Sequence, residues 1–122
     1  MLNKTQLLEK VFGDEALLSQ IIDMFLEMCP DMVASIENCI LNGDSEVLVR
    51  TAHALKGSIG NFSTEGAFAQ AAELERLGKS GNLGQAEHVL DILKDDIQTL
   101  VDALEKLRSE IHSESSFPDK EK

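Results

Sequence analysis

A histidine, a lysine and a glycine follow one another at helical spacing in the segment AHALKGS, as His53, Lys56 and Gly57. A neutral imidazole nitrogen is a nucleophile near neutral pH, because an unperturbed histidine titrates at about pH 6.5. Such a ring can carry a phosphoryl group as a covalent intermediate. A lysine one helical turn further on can reach that group as a point charge. The segment therefore predicts phosphohistidine chemistry.

The reactive residues lie on the solvent side of the predicted helix. At about 100° per residue, five apolar residues fall on one stripe and the reactive residues fall on another. The apolar stripe consists of Leu48, Ala52, Leu55, Ile59 and Phe62, and the other stripe of Val49, His53, Lys56, Gly57 and Gly60. We therefore expect His53 to point away from the core.

Two glycines within one helix, Gly57 and Gly60, need a compensating reason. Each costs a helix interior about 0.5 to 1 kcal/mol relative to alanine. The missing side chain at Gly57, beside the imidazole, would let another protein approach closely. Val49, one turn before His53, is predicted to be exposed. We call Val49, Arg50, Gly57 and Gly60 the predicted docking residues.

The motif and its flanks resemble a known family. AHALKGS is followed by Asn61 and Phe62, and by Leu74 and Glu75 near the end of the next predicted helix. Together they resemble the histidine-containing phosphotransfer (HPt) domain of bacterial multistep phosphorelays, over roughly residues 5 to 110. One departure is Ser63, where many members of the family have glycine.

The resemblance implies a role for each site residue. His53 would accept a phosphoryl group from the aspartate of one receiver domain and pass it to the aspartate of another. Lys56 would support the phosphate, and Gly57 would keep the site open. Glu75 occupies the place of a polar residue that orients the histidine ring. The implied partners are response-regulator receiver domains, a hybrid sensor kinase, or both.

The composition favours packed helices. The 122 residues are 43% hydrophobic with no Trp or Tyr, and only Pro30 and Pro118 occur. The absence of β-branched runs argues against a sheet. A formal net charge of −11 disfavours nucleic acid and anionic membrane surfaces as partners, because both need a cationic footprint. The expected class is all-α.

Periodicity predicts five helices. The first four span about residues 4–11, 15–41, 44 or 45 to 61, and 63 or 64 to 77, and the second should be kinked or broken at Pro30. The last helix carries an apolar seam that consists of Ala86, Leu90, Leu93, Ile97, Leu100, Leu104, Leu107 and Ile111. Short connections predict an up-down four-helix bundle with a short extra N-terminal helix. The predicted domain covers residues 1–112, and residues 113–122 a disordered polar tail.

The sequence also predicts that several activities and features are absent from the chain. It has no glycine-rich phosphate loop, so we expect no autokinase activity, no cofactor, and Mg²⁺ supplied only by the partner receiver. Cys29 and Cys39 are expected to be reduced. No signal peptide or bilayer-spanning run is present, so a cytoplasmic monomer is predicted, with no membrane insertion. Met1 and the polar tail favour a free-standing protein.

Two other functions stay open from the residues alone. A helical adaptor would bind a partner through the exposed groove with no covalent chemistry, so His53 would be dispensable. A metal-binding bundle could use His88 and Asp91, one turn apart. The metal is disfavoured because the Glu-x-x-His pairs of di-iron bundles are missing and no third ligand converges.

Overall fold

All regular structure in the described part of the chain is helical. The structure, a computed structural model, describes residues 2–120, with side chains described up to Ile111. The helices are α1 (Lys4–Lys10), α2 (Glu15–Asn42), α3 (Ser45–Gly60), α4 (Ala67–Ser80) and α5 (Ala86–Lys120). Residues 2–120 contain no strand, which confirms the all-α prediction. No helix in this range is long and apolar enough to cross a membrane.

Aspartates at two helix starts position α2 and α3. Asp14 Oδ1 accepts a hydrogen bond from the backbone N–H of Leu17 at 3.0 Å, and Asp44 Oδ1 from that of Val47 at 3.2 Å. Each bond satisfies one of the N–H groups that a helix start leaves without a partner. Between α2 and α3, Gly43 adopts a left-handed conformation with φ of 70°, which allows the abrupt reversal.

The four long helices form a closed ring of contacts. Helix α3 packs against α2 and α4, α5 packs against α2 and α4, and α1 rests on α2. The predicted apolar stripe of α3 and the whole predicted seam of α5 are buried in the shared core. At about 25 cal/mol per Å² of buried apolar surface, this core provides the main drive for folding. The site on α3 therefore stands on a rigid support.

Helix α2 is continuous through Pro30, so the proline does not divide it. Cys29 and Cys39 in this helix are unpaired and buried, in agreement with the prediction. Burial raises the pKa of the Cys29 thiol to about 11. These cysteines fill space in the core as small apolar side chains.

Two helix boundaries differ from the predictions. Helix α4 starts at Ala67 after Gly66, because residues 63–66 form a turn in which Ser63 Oγ accepts from the N–H of Glu65 at 3.1 Å. The backbone of α5 remains helical to Lys120, where a disordered tail from residue 113 was expected. The division into domain and tail stays a prediction, and residues 121–122 lie outside the described residues.

Candidate functional site

His53 lies on the exposed face of α3. Its side chain is 68% exposed, whereas Ala52 and Leu55 beside it are fully buried. The prediction that His53 points away from the core is confirmed. A partner in solution can therefore reach the ring.

A carboxylate from α4 holds this ring. Glu75 Oε2 lies 3.0 Å from His53 Nδ1, and Glu75 Oε1 lies 2.8 Å from Lys56 Nζ. Lys79, one turn further along α4, places its Nζ 3.3 Å from Glu75 Oε2. The Glu75 side chain is only 9% exposed, so these contacts form in a partly dehydrated pocket between α3 and α4. We call His53, Lys56, Glu75 and Lys79 the histidine cluster.

Glu75 is ionised, and its charge decides which ring nitrogen carries the proton. The hydrogen bond from Lys56, with smaller contributions from the bonds to His53 and Lys79, lowers the pKa of Glu75 to about 2 against the opposing effect of burial. An ionised carboxylate only accepts hydrogen bonds, so His53 Nδ1 must donate. In a neutral ring the lone pair is then on Nε2. The cluster presents Nε2 as the nucleophilic atom.

Close packing of α3 on α4 makes this contact possible. Gly78 is buried one turn after Glu75, and a Cβ built there would lie 2.8 Å from Val49 Cγ2 and 3.2 Å from the backbone oxygen of Ser45. Only a residue without a side chain fits at that distance. Val49 lies one turn before His53, so this close approach of the helices adjoins the histidine cluster.

Comparison with known proteins identifies this arrangement. A family model described as Hpt domain matches residues 20–113, which is most of the chain. The chain belongs to the Hpt domain family. Its role is therefore histidine phosphotransfer in the phosphorelays of two-component signalling.

One solved structure supports the fold of this Hpt domain independently. The crystal structure of histidine-containing phosphotransfer protein B (HptB) from Pseudomonas aeruginosa PAO1 has a TM-score of 0.81 to it. The match covers 89% of this chain and 95% of that one at 20% sequence identity, which establishes a shared fold. No curated protein sequence matches the chain.

The predicted docking residues of this Hpt domain do not share one environment. Gly57 is exposed, with nothing within 4 Å of a built Cβ, and Arg50 is also exposed. Val49 is half-buried against Gly78, so the prediction that it is exposed is wrong. Gly60 is half-buried too, and a Cβ there would lie 3.2 Å from the ring of Phe68. The absence of a side chain at Gly60 makes room for Phe68 of the same domain.

Sequence reasoning missed Lys79 and misread Gly78. The spacing of Glu75 and Lys79, four residues apart on a helix, is the signal that could have found the lysine. The predicted helix ends at residue 77, with Gly78 expected to begin its stop, but α4 continues to Ser80 and ends at Gly81, whose φ is 75°. Gly78 is instead a packing residue within the helix.

The histidine cluster should make the domain sensitive to acid. The pKa of Glu75 falls from 4.5 to about 2 on folding, so the unfolded chain binds more protons between these values. Stability is therefore lost as the pH falls from 4.5 towards 2. Because Lys79 and His53 are exposed and screened, we expect a loss of about 1 to 2 kcal/mol. Urea unfolding of the wild type and Glu75→Gln at pH 6 and pH 3 measures it.

Glu73→Gln is the matched control, since Glu73 lies on the same helix and pairs with the exposed Arg76. This variant should keep most of the acid sensitivity. An equal acid loss in wild type and Glu75→Gln would show that Glu75 is not the responsible group.

Proposed function

We propose that His53 is the phosphoacceptor of this Hpt domain. It takes a phosphoryl group from the aspartate of one receiver domain and passes it to the aspartate of another. The observation that carries the proposal is the contact between His53 Nδ1 and the ionised Glu75, because it leaves Nε2 of an exposed ring as the nucleophile.

The proposed step is an in-line displacement on phosphorus. Nε2 forms a bond to phosphorus as the bond to the aspartyl oxygen breaks, and that electron pair returns to the receiver's carboxylate. Lys56 Nζ has three donors and engages one on Glu75, so others remain to offset charge on the transferring group. Phosphoryl transfer depends mainly on such positioning and electrostatics. Any Mg²⁺ belongs to the receiver.

The proposal extends to the activity, location and partners of the protein. We propose a transfer protein without autokinase activity or cofactor, acting as a cytoplasmic monomer with receiver domains or a hybrid sensor kinase and binding no nucleic acid. The ring of helix contacts supports an up-down four-helix bundle with α1 added to it. The adaptor alternative has less support, because an adaptor needs no oriented, ionised partner for His53. For metal binding, no group of three potential ligands occurs among the described residues.

The test is transfer from a phosphorylated receiver domain. The purified chain is incubated with a panel of receivers that carry labelled phosphoaspartate, and acid-labile, base-stable label on the chain is mapped by mass spectrometry. Label at His53 supports the proposal. Label at another residue contradicts the assignment of His53, and a folded chain that no receiver labels favours the adaptor.

Gly57 offers a graded test of partner clearance. The series Gly57→Ala, Gly57→Val and Gly57→Leu adds volume where the domain itself has open space. Each variant should fold, since replacing a helix glycine removes a cost of up to about 1 kcal/mol. Transfer from the receiver should slow with increasing size, by about tenfold or more for leucine, because about 1.4 kcal/mol of lost docking energy has that effect. A rate that stays constant across the series would place the receiver's approach elsewhere.

A further inference from the structure

The group that holds the histidine ring is a charged carboxylate, and it has cations on both sides. The Glu75 side chain is 9% exposed, its Oε1 contacts Lys56 at 2.8 Å, and its Oε2 contacts both His53 Nδ1 at 3.0 Å and Lys79 at 3.3 Å. A neutral amide of the same length could orient the ring equally well. The negative charge therefore adds an electrostatic effect on the ring that orientation alone does not need.

The charge matters once the ring carries a phosphoryl group. Attack by Nε2 uses the lone pair of that nitrogen, so the product is a ring cation that bears phosphorus on Nε2 and a proton on Nδ1. When the P–N bond of this cation breaks, its electron pair returns to Nε2 and a neutral imidazole leaves. If Nδ1 has lost its proton, the leaving group is an imidazolate anion, which is far poorer. The proton on Nδ1 thus controls how readily the phosphoryl group departs.

We propose that Glu75 keeps the phosphorylated ring protonated at Nδ1 and thereby sets the lifetime of the phosphohistidine. This inference rests on His53 being the phosphoacceptor. Glu75 is a positioning residue in this scheme, because it acts through the ring and touches neither phosphorus nor partner. The proton stays on Nδ1 through acceptance and donation, so the relay step needs no separate proton acceptor.

The charges around the His53 ring are consistent with a proton held on Nδ1. Lys56 on α3 and Lys79 on α4 contact Glu75, and Arg50 lies about one helical turn before His53 on α3; alone, these cations would favour loss of the Nδ1 proton. Glu75 is the anion in direct contact with Nδ1, and attraction falls with distance, so it outweighs them. Lys56 and Lys79 act mainly by keeping Glu75 ionised, since both contact its oxygens.

The test compares the pH dependence of phosphohistidine hydrolysis in the wild type and in Glu75→Gln. Both proteins are phosphorylated with potassium phosphoramidate, so no receiver is needed, and release of inorganic phosphate is followed between pH 5 and pH 9. Water bonds to phosphorus, the P–N bond breaks, and its electron pair returns to Nε2. A charged partner holds the Nδ1 proton to a pH about one unit higher than a neutral one. The wild type should therefore lose phosphate about tenfold faster than Glu75→Gln at pH 8, and the two rates should converge at pH 5.

Two controls separate this effect from a structural one. Glu73→Gln, on the same helix but paired with Arg76, should reproduce the wild-type profile. Independently of any variant, the ¹⁵N chemical shift of Nδ1 in the phosphorylated wild type should titrate at a higher pH when folded than in urea. A purely orienting Glu75 would change the rate of phosphorylation but would not move this titration.

The outcomes distinguish the two proposals. Profiles that coincide for wild type and Glu75→Gln, or an Nδ1 titration unchanged by urea, overturn the role of Glu75 and leave His53 as the acceptor. A folded wild type that forms no phosphohistidine at residue 53 with either phosphoramidate or receivers overturns the proposed function itself.

Discussion

Replacing His53 by glutamine is expected to abolish phosphoryl acceptance. Glutamine has no nucleophilic ring nitrogen, so labelling by a phosphorylated receiver should fall by at least about 1000-fold, as when other covalent nucleophiles are removed. The fold should persist, because the His53 side chain is 68% exposed and the glutamine amide can still donate to Glu75. We expect the free energy of unfolding to change by no more than about 1 kcal/mol. Labelling and urea unfolding on the same preparation measure both effects.

His88→Gln is the matched control for this variant. His88 is an exposed histidine on α5, in the same bundle but outside the histidine cluster. Its replacement should leave labelling unchanged. Labelling that survives in His53→Gln and disappears in His88→Gln would move the acceptor to α5 and remove the reason for the Glu75 contact.

Gly78 should be the glycine least tolerant of added volume. A Cβ there would press on Val49 Cγ2 at 2.8 Å and on the backbone of Ser45 and Val49 at 3.2 and 3.3 Å, and backbone cannot move without shifting α3. We expect Gly78→Val to lower the free energy of unfolding by about 2 to 3 kcal/mol, the usual cost of overpacking. Transfer should fall as well, because α3 carries His53 and α4 carries Glu75.

A comparison of two alanine variants isolates the packing effect. Gly78→Ala and Gly57→Ala gain the same helix propensity, about 1 kcal/mol, since both glycines lie within helices. Gly57 faces open space, so Gly57→Ala should stabilise the domain, whereas Gly78→Ala should destabilise it. Equal stabilisation in urea unfolding would mean that α3 and α4 can separate at no cost, contrary to the packing described.

The faces of single helices could be predicted from the sequence. The seam of α5 and the apolar stripe of α3 are buried as their spacing required, because one helix's geometry alone decides which residues share a face. His53 and Lys56 are predicted to share a face of α3 for the same reason, because their spacing on one helix decides it. Glu75 is assigned to the site through the resemblance to HPt domains.

The contacts between helices could not be predicted in the same way. Gly78 looked like a helix stop, since glycine often ends helices and its role as a crossing point depends on where α3 lies. Val49 looked exposed for the same reason, although α4 covers it. Lys79 is not predicted at the site, because a lone lysine is usually solvated. Each of these residues gains its role from a partner distant in sequence.

The shared carboxylate also shapes how a partner first meets this molecule. Two lysines and one glutamate leave the histidine cluster with one net positive charge, on a chain whose formal net charge is −11. An incoming phosphoryl donor, itself anionic, is repelled by the body of the domain and attracted at this spot. Encounters in other orientations therefore separate quickly, and the electric field selects the productive approach before any contact forms. Added salt weakens both the repulsion and the attraction, so the rate of productive encounter depends on the ionic strength.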